Sequence, residues 1–531
     1  MKTSDFSRAS GILLHITSLP DPAGPVAAGH RLSVSHPGSG DFGASTLHFI
    51  DWLEHSEQHL WQVLPLVPAG PGHSPYMSPS SLAFNPMLVD LQALVDAGWL
   101  AQDFSESDEA FALADPAQAR IDFNRTDQFR LSALAAAAER FLATPDDPQQ
   151  PDFAAYCKAQ KHWLDDYALF MVLNELHHGE TWQNWAPDLA NRKSTALNKI
   201  RKAHKTRHDF WCFVQWQAER QWEKVRDYAK ARGIRIVGDL PIFVALNSAD
   251  TWANPKLFDL DKQNWPTAVA GVPPDYFSED GQLWGNPLYH WAAHAKENYA
   301  WWVTRMKRAL VMADTVRIDH FRGFSANWAV PAGMPNARIG EWRKGPGAKL
   351  FMALTNALGT LPLIAEDLGV VDEGVIRLLY ETGLPGMAIL QFAFDSDASN
   401  VFLPHNLKRH QVVYTGTHDN DTTLGWFAQL NERERARAQI YLKTDGREMN
   451  WELIHTGSQS VATWAIYPMQ DILGLDSSAR MNRPGDAEGC WGWRFDWHQL
   501  HDWQSRRLRT ITQVHGRDAP AWAESTPPAD H

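Results

Sequence analysis

Cysteine is almost missing from this 531-residue chain: Cys157, Cys212 and Cys490 are the three present, far apart and with no CxxC pair. That argues against a disulfide framework and against a thiolate zinc site. Long apolar runs are missing too, and no stretch approaches the ~20 residues needed to span a bilayer. A membrane partner is therefore not expected. The first residues, MKTSDFSRASGILLHITSLP, hold a short apolar core broken by His15, with no small-residue cleavage pattern. The expected home is the cytoplasm. Basic runs are absent, and 49 Lys and Arg against 62 Asp and Glu leave a net charge of −13. A pI near 5.9 disfavours a binder of phosphate backbones, so nucleic acid is not an expected partner. Despite 23 histidines there is no HExxH, no paired His with a downstream carboxylate at ligand spacing and no glycine-rich phosphate loop. Neither a metal nor a nucleotide cofactor is expected.

What the chain does have is tryptophan, 25 residues, beside 24 Phe and 11 Tyr. Indole is flat, apolar and polar at one edge, which suits the apolar face of a sugar ring. Roughly four in five of these are expected to fill core, given the area each buries. Hydrophobic residues make up 44% and charged ones 21%, an ordinary globular balance.

Short apolar, β-branched runs recur at 11–16, 59–66, 234–244, 315–321, 361–368, 386–394, 412–419 and 463–473. Near-continuous apolar runs of this length suit parallel strands buried on both faces. Between them lie helical patterns. Residues 296–313 place apolar side chains at three- and four-residue spacing, 372–383 runs from an N-cap Asp372 to a stop at Gly383, and 348–359 also ends in glycine. Eight strands alternating with helices predict an α/β fold, a (β/α)8 TIM barrel. The whole chain, 1–531, reads as one catalytic barrel domain with insertions over the C-terminal face of the barrel. A mainly helical insertion is expected at about 86–207, and an irregular, Pro- and Trp-rich loop excursion over the active site at about 245–295.

Barrel enzymes do their chemistry at the C-terminal ends of the strands. Those ends carry Asp239, Asp319, Glu366 with Asp367, His418 with Asp419, and Asp471. Each alone reads as a cap or loop acid; together they converge on one mouth. Such a cluster fits glycoside cleavage, where one carboxylate attacks and a protonated carboxyl about 5–5.5 Å away assists the leaving group. In TVRIDHFRG (315–323), Arg317 stands two residues before Asp319 and projects from the same strand face, able to hold it ionised.

Several motifs resemble the 4-α-glucanotransferases called amylomaltases or disproportionating enzymes, glycoside hydrolase family 77 of the α-amylase clan. They are SGILLHITSLP, SPYMSPSSLAFNP, GDLPIFV, AGVPPDYFSEDGQLWGNPLY, VRIDHFRG, IAEDLG, GTHDND and RMNRPG, in order from about residue 9 to about 500. The resemblance implies Asp319 as nucleophile, Glu366 as general acid/base and Asp419 as the carboxylate that clamps the sugar's 2- and 3-hydroxyls in the transition state. It implies Arg317 and His418 as supports of the same subsite, and Asp239 as a further active-site acid. Tyr76 is then a platform under the sugar and Trp284 an acceptor-side stacking residue. Asn482 becomes a polar contact, and Asp275 lies on a loop arching over the glucan. The implied substrates are α-1,4-glucans and maltooligosaccharides as donors, with glucose or maltooligosaccharides as acceptors. Two stretches depart from the pattern: the segment after SLPDP is longer than usual through 24–40, and PAGPGH (68–73) stands where some members have a Tyr-Gly pair.

Three readings follow. A glucan transferase and an α-amylase-type hydrolase share the glycosyl-enzyme intermediate and differ in whether a sugar 4-hydroxyl or water attacks it. A non-catalytic glucan-binding protein would have no need of acid, nucleophile and stabiliser together. The VPPDYFS loop and Trp284 favour the transferase through the resemblance alone.

Overall fold

The computed structural model describes residues 6–21, 31–105, 120–274, 278–369, 371–486 and 488–524. Its strands are β1 (Ala9–Leu13), β2 (Leu60–Gln62), β3 (Arg235–Pro241), β4 (Ala268–Val272), β5 (Gln282–Pro287), β6 (Thr315–Asp319), β7 (Ala326–Pro331), β8 (Glu341–Lys344), β9 (Leu363–Ala365), β10 (Gly386–Ile389), β11 (Gln411–Tyr414) and β12 (Trp464–Pro468). Eight of them form one sheet in the order β10-β11-β12-β1-β2-β3-β6-β9, every paired neighbour parallel. Its two ends meet where the Ala365 N–H donates to the Pro385 carbonyl at 2.9 Å, and Asp367 accepts the Met387 N–H at 2.7 Å. This is a nearly closed (β/α)8 barrel, and its eight strands fall on the eight apolar runs of the sequence.

The strands are shorter than those runs because the apolar residues continue into the turns that follow. Pro468 has no N–H to give to a ladder, so β12 stops there and residues Met469–Leu473 turn into a short helix. Asp471 thus sits on that helix and not in the strand. Close packing of the barrel wall demands glycine in β1: a Cβ on Gly11 would lie 2.1 Å from the Leu60 carbonyl oxygen. Ile12, Trp61, Ile236, Ile364, Val413 and Ile466 are buried along the strands.

Helix Glu373–Thr382 begins at Asp372, whose side chain accepts the Val375 N–H, and ends at Gly383 with φ 65°. Helix Ala348–Leu358 ends at Gly359 with φ 81°. Only a residue without Cβ takes these left-handed stops at no steric cost. Between β2 and β3 lie the long helices Phe123–Leu142, Gln150–Leu176 and Lys205–Ala231; the last runs directly into β3.

The stretch 245–295 is more regular than its composition suggests. It contains β4 and β5, which join β7 and β8 in a second sheet of order β5-β4-β7-β8, antiparallel throughout. The proline and glycine content hides these strands, and their apolar faces are set by packing on β7. Asp275 and its two successors lie outside the described residues, as do residues 22–30 of the extended 24–40 segment. The described remainder, 31–40, is anchored by the buried Arg130, which donates to the carbonyls of Pro37 and Ser39. In PAGPGH, the His73 ring stacks on Phe123 at 4.2 Å.

Candidate active site

Parallel pairing of β3 with β6 sets Asp239 opposite Arg317 and Pro241 opposite Asp319. Residues two apart on a strand share a face, so Arg317 and Asp319 meet Asp239 on one side of the sheet. Arg317 Nη1 donates to both Asp239 oxygens, at 2.8 and 2.7 Å, and to Asp319 Oδ1 at 3.0 Å. The Arg317 and Asp239 side chains are 4% and 0% exposed, whereas Asp319 keeps 28%. One guanidinium is thus shared by a sealed carboxylate and an accessible one.

Tyr76, from the segment after β2, donates its hydroxyl to Asp239 Oδ2 at 2.9 Å and is 2.9 Å from His418 Nε2. A phenol has one proton; with that proton on Asp239, His418 must be the Nε2–H tautomer and donate to the phenol oxygen. Its Nδ1 is then a bare acceptor, and that atom has no protein partner. The two rings stack at 5.3 Å and 13°. His15, buried beside His418, is pushed down to about 3, by burial first and then by that neighbour. Burial likewise lowers His418, so both imidazoles are neutral.

Glu366 follows β9 and is held by backbone. The His320 N–H donates to its Oε2 at 2.7 Å, and the Leu368 N–H to its Oε1 at 2.8 Å. His320 adopts φ 53°, an uncommon state for a residue with a Cβ, and this left-handed turn aims its N–H at Glu366. The Trp284 ring, carried on β5, packs edge-on against His320 at 4.6 Å. Asp419, in the loop after β11, is 43% exposed and accepts from Asn482 Nδ2 at 2.6 Å. Its carbonyl takes Arg480 Nη2 at 3.0 Å, while the Asn482 N–H caps the His418 carbonyl at 3.1 Å.

Electrostatically the mouth is crowded with acid. Burial pushes Asp319 up to about 8; Arg317 pulls the other way, and Asp239, Glu366 and Asp419 add to the rise. Glu366 is raised as well, chiefly by burial. Against this rise, the Arg317 guanidinium favours the charged form of Asp319, and two backbone N–H groups favour that of Glu366. Among the described residues, no group of three or more His, Cys, Asp or Glu is arranged to hold a metal ion. No helix among them is long and apolar enough to cross a membrane.

A family profile described as 4-alpha-glucanotransferase matches residues 30–500. The chain belongs to this family. A 4-alpha-glucanotransferase of Synechocystis sp. is 46% identical over 514 residues, covering 96% of this chain and 98% of its own length. One from Thermus thermophilus is 43% identical over 520 residues, covering 96% and 99%. Among solved structures, the amylomaltase of Streptococcus agalactiae in complex with acarbose superposes with a TM-score of 0.89 at 35% identity, covering 96% of this chain and 99% of that one.

In this glucanotransferase, Tyr76, Asp239, Arg317, Asp319, His418, Asp419 and Asn482 form one continuous polar chain, with Glu366 and Trp284 joined to it through His320. Asp275 alone lies outside the described residues. Two strand-end acids have other work. Asp367 receives the Met387 N–H at the barrel seam. Asp471, buried, accepts from Thr415 Oγ1 at 2.6 Å and from the Thr423 N–H and Oγ1 at 2.8 and 2.7 Å, pinning the loop that carries His418 and Asp419. Two neighbours escaped the sequence reading. His320 stands in the VRIDHFRG motif, but its left-handed turn has no sequence signature. Trp491, with φ 66°, tilts against Tyr76 at 5.6 Å and His418 at 6.0 Å; a non-glycine residue held there marks a constrained site.

Proposed function

We propose that this enzyme moves a segment of an α-1,4-glucan to the 4-hydroxyl of glucose or another α-1,4-glucan by a retaining double displacement, with Asp319, Glu366 and Asp419 as its catalytic carboxylates. The observation that carries the assignment is the Arg317 guanidinium shared between Asp239 and Asp319. It holds the more exposed carboxylate charged and aimed outwards, the requirement for a nucleophile.

In the first half-reaction, an Asp319 oxygen attacks the anomeric carbon and the C–O bond to the departing glucan breaks. Glu366 gives that oxygen its proton. In the second, Glu366 takes the proton from an acceptor 4-hydroxyl, which displaces Asp319 and restores the anomeric configuration. Asp419, steered by Asn482, accepts from the ring hydroxyls most strongly as positive charge builds at the anomeric carbon. The Tyr76–His418 stack offers a platform beneath that ring, and Trp284 a face for the acceptor; Asp275 belongs to the loop above the bound chain. Proton and electron pairs balance within these groups, and no nucleotide or metal takes part. The cytoplasmic setting belongs to the same proposal, supported by three cysteines that are all free thiols.

Incubation with maltotriose alone tests the reading. Transfer produces glucose together with a ladder of longer maltooligosaccharides. Accumulation of glucose and maltose with nothing longer would show water to be the acceptor and make the enzyme a hydrolase.

A further inference from the structure

The helices Gln150–Leu176 and Lys205–Ala231 run past each other in opposite directions. Trp216 Nε1 donates to Asp152 Oδ2 at 3.0 Å, and His208 Nε2 meets Asp165 Oδ1 at 3.1 Å. The Tyr156 hydroxyl donates to Glu219 Oε2 at 3.1 Å. Between the Asp152 tie and the Asp165 tie, in the same register, stand Cys157 on one helix and Cys212 on the other. The two thiols are near enough to perturb each other, and His208 Nδ1 lies 3.8 Å from Cys212 Sγ. Cys157 is half-buried, and Cys212 is buried at 5% exposure.

These are the parts of an exchange centre: an outer thiol open to solvent, a sealed thiol against it, and an imidazole beside the sealed one. We propose that Cys157 and Cys212 form a thiol–disulfide exchange site that takes low-molecular-weight disulfides and closes into an intrachain disulfide between the two helices. The facing Cys212 lowers the Cys157 thiol from its ordinary value, favouring the attacking thiolate. Burial lowers His208, but hydrogen bonds and charge from Asp165 and Asp209 outweigh it and bring the imidazole to about 9. His208 is therefore a cation at neutral pH.

The Cys157 thiolate attacks one sulfur of an external disulfide RSSR. Its S–S bond breaks, one RS⁻ leaves and takes a proton from water, and Cys157 is left as a mixed disulfide with R. Cys157 and burial hold the Cys212 thiol up; once Cys157 is capped by R the first of these is gone, and Cys212, beside the cationic His208, gives its proton to solvent and attacks the Cys157 sulfur. The second RS⁻ departs. Two protein thiols are oxidised to one disulfide and one RSSR is reduced to two RSH. Cys490 is the internal contrast. It is buried, its sulfur is ringed by the carbonyls of Arg483, Asp486 and Glu488, and it has no second thiol.

The full-length enzyme is incubated with oxidised glutathione, alkylated, and mapped by mass spectrometry without reduction. The expected product joins the Cys157 and Cys212 peptides, and its formation raises the thermal unfolding midpoint until dithiothreitol reverses it. Cys212→Ser should stop at a glutathione adduct on Cys157, close to one per chain. Cys157→Ser should take up none and show no oxidant-dependent change in midpoint. His208→Gln should slow closure while still permitting the Cys157 adduct. An adduct on Cys490 in preference to Cys157 would overturn the proposal. So would a Cys212→Ser chain that stays unmodified, or a wild-type chain in which the 157–212 link never forms.

Discussion

Glu366 and Asp319 are both carboxylates in buried surroundings, yet their partners differ. Backbone N–H groups hold Glu366, and a guanidinium holds Asp319. This difference separates donor from nucleophile, and it makes the importance of Glu366 depend on the leaving group. Glu366→Gln should slow maltotriose turnover by on the order of 10²–10⁴, the usual reach of a general acid. With α-glucosyl fluoride, which needs little proton assistance to leave, glycosyl-enzyme formation should be far less affected. The intermediate then accumulates, and peptide mapping should locate the sugar on Asp319; equal slowing with both donors would contradict the assignment. Asp239 acts on the same balance from the other side of Arg317. Its charge helps to raise Asp319, and it occupies Nη1 through two contacts. In Asp239→Asn the negative neighbour is gone and Arg317 turns wholly to Asp319, so the nucleophile's pKa falls. A lower pKa keeps the ionised form to lower pH. The acid limb of the kcat/KM profile should therefore move to lower pH even though the maximum rate drops. A limb that stays or moves upward would remove Asp239 from this role.

Strand β5 brings Trp284 to the mouth, where it meets His320, the residue that fastens Glu366. On the proposed assignment, acceptor binding and proton transfer share one small contact, indole edge to imidazole at 4.6 Å. An indole face orients the acceptor hydroxyl over the intermediate and keeps water out. Trp284→Ala should lower the ratio of transferred to hydrolysed product about 3- to 10-fold at fixed acceptor concentration, with a smaller loss in total cleavage. Measuring both products from one donor gives the ratio directly, and an unchanged value would return Trp284 to a structural role. The legibility of β5 differs from that of the barrel strands. Its burial passes from exposed to buried without alternating, and Gly281, Gly285 and Pro287 surround Trp284, so nothing in 282–287 announces a strand. The ladder to β4 creates it.

At the scale of the molecule, the segment around Arg517 is fastened to the starts of β1 and β12. Arg517 is wholly buried and donates to the carbonyls of Ala9 at 2.8 Å and Thr463 at 2.9 Å, the starts of β1 and β12. It also reaches the carbonyls of Ser458 and Ala462, each at 2.9 Å. Arg517→Met fills similar volume but removes a charged donor these carbonyls share in a dry site, leaving the Ala9 N–H on Thr463 and Arg8 on Ser458 and Ala462; each buried hydrogen bond lost from a charged donor costs about 1.5–3 kcal/mol. The unfolding free energy should fall by on the order of 3–5 kcal/mol, read as a lower denaturant midpoint. Activity per folded molecule should hold, because these contacts lie at the strand starts and the chemistry at their ends. A variant as stable as the parent would show that water or rearrangement satisfies the carbonyls.

The sequence by itself determined the barrel and the acids of its mouth. Strands buried on both faces must be apolar throughout, so eight runs such as 315–321 and 463–473 stand out from their surroundings. Carboxylates near their C-terminal ends, such as Asp319 and Glu366, each read alone as caps or loop acids, and only their joint placement pointed to one mouth. Tertiary structure alone decided which of those acids meet. Asp367 and Asp471 have the same sequence signature as Glu366 and Asp419, yet one closes the barrel seam and the other is sealed among threonines. Only the pairing of β3 with β6 placed Asp239 across from Arg317, and only the left-handed turn at His320 joined Glu366 to Trp284. Periodicity along the chain reports burial, which is local, whereas a shared guanidinium, a stacked Tyr76–His418 pair and two thiols on facing helices depend on contacts between residues far apart in the chain.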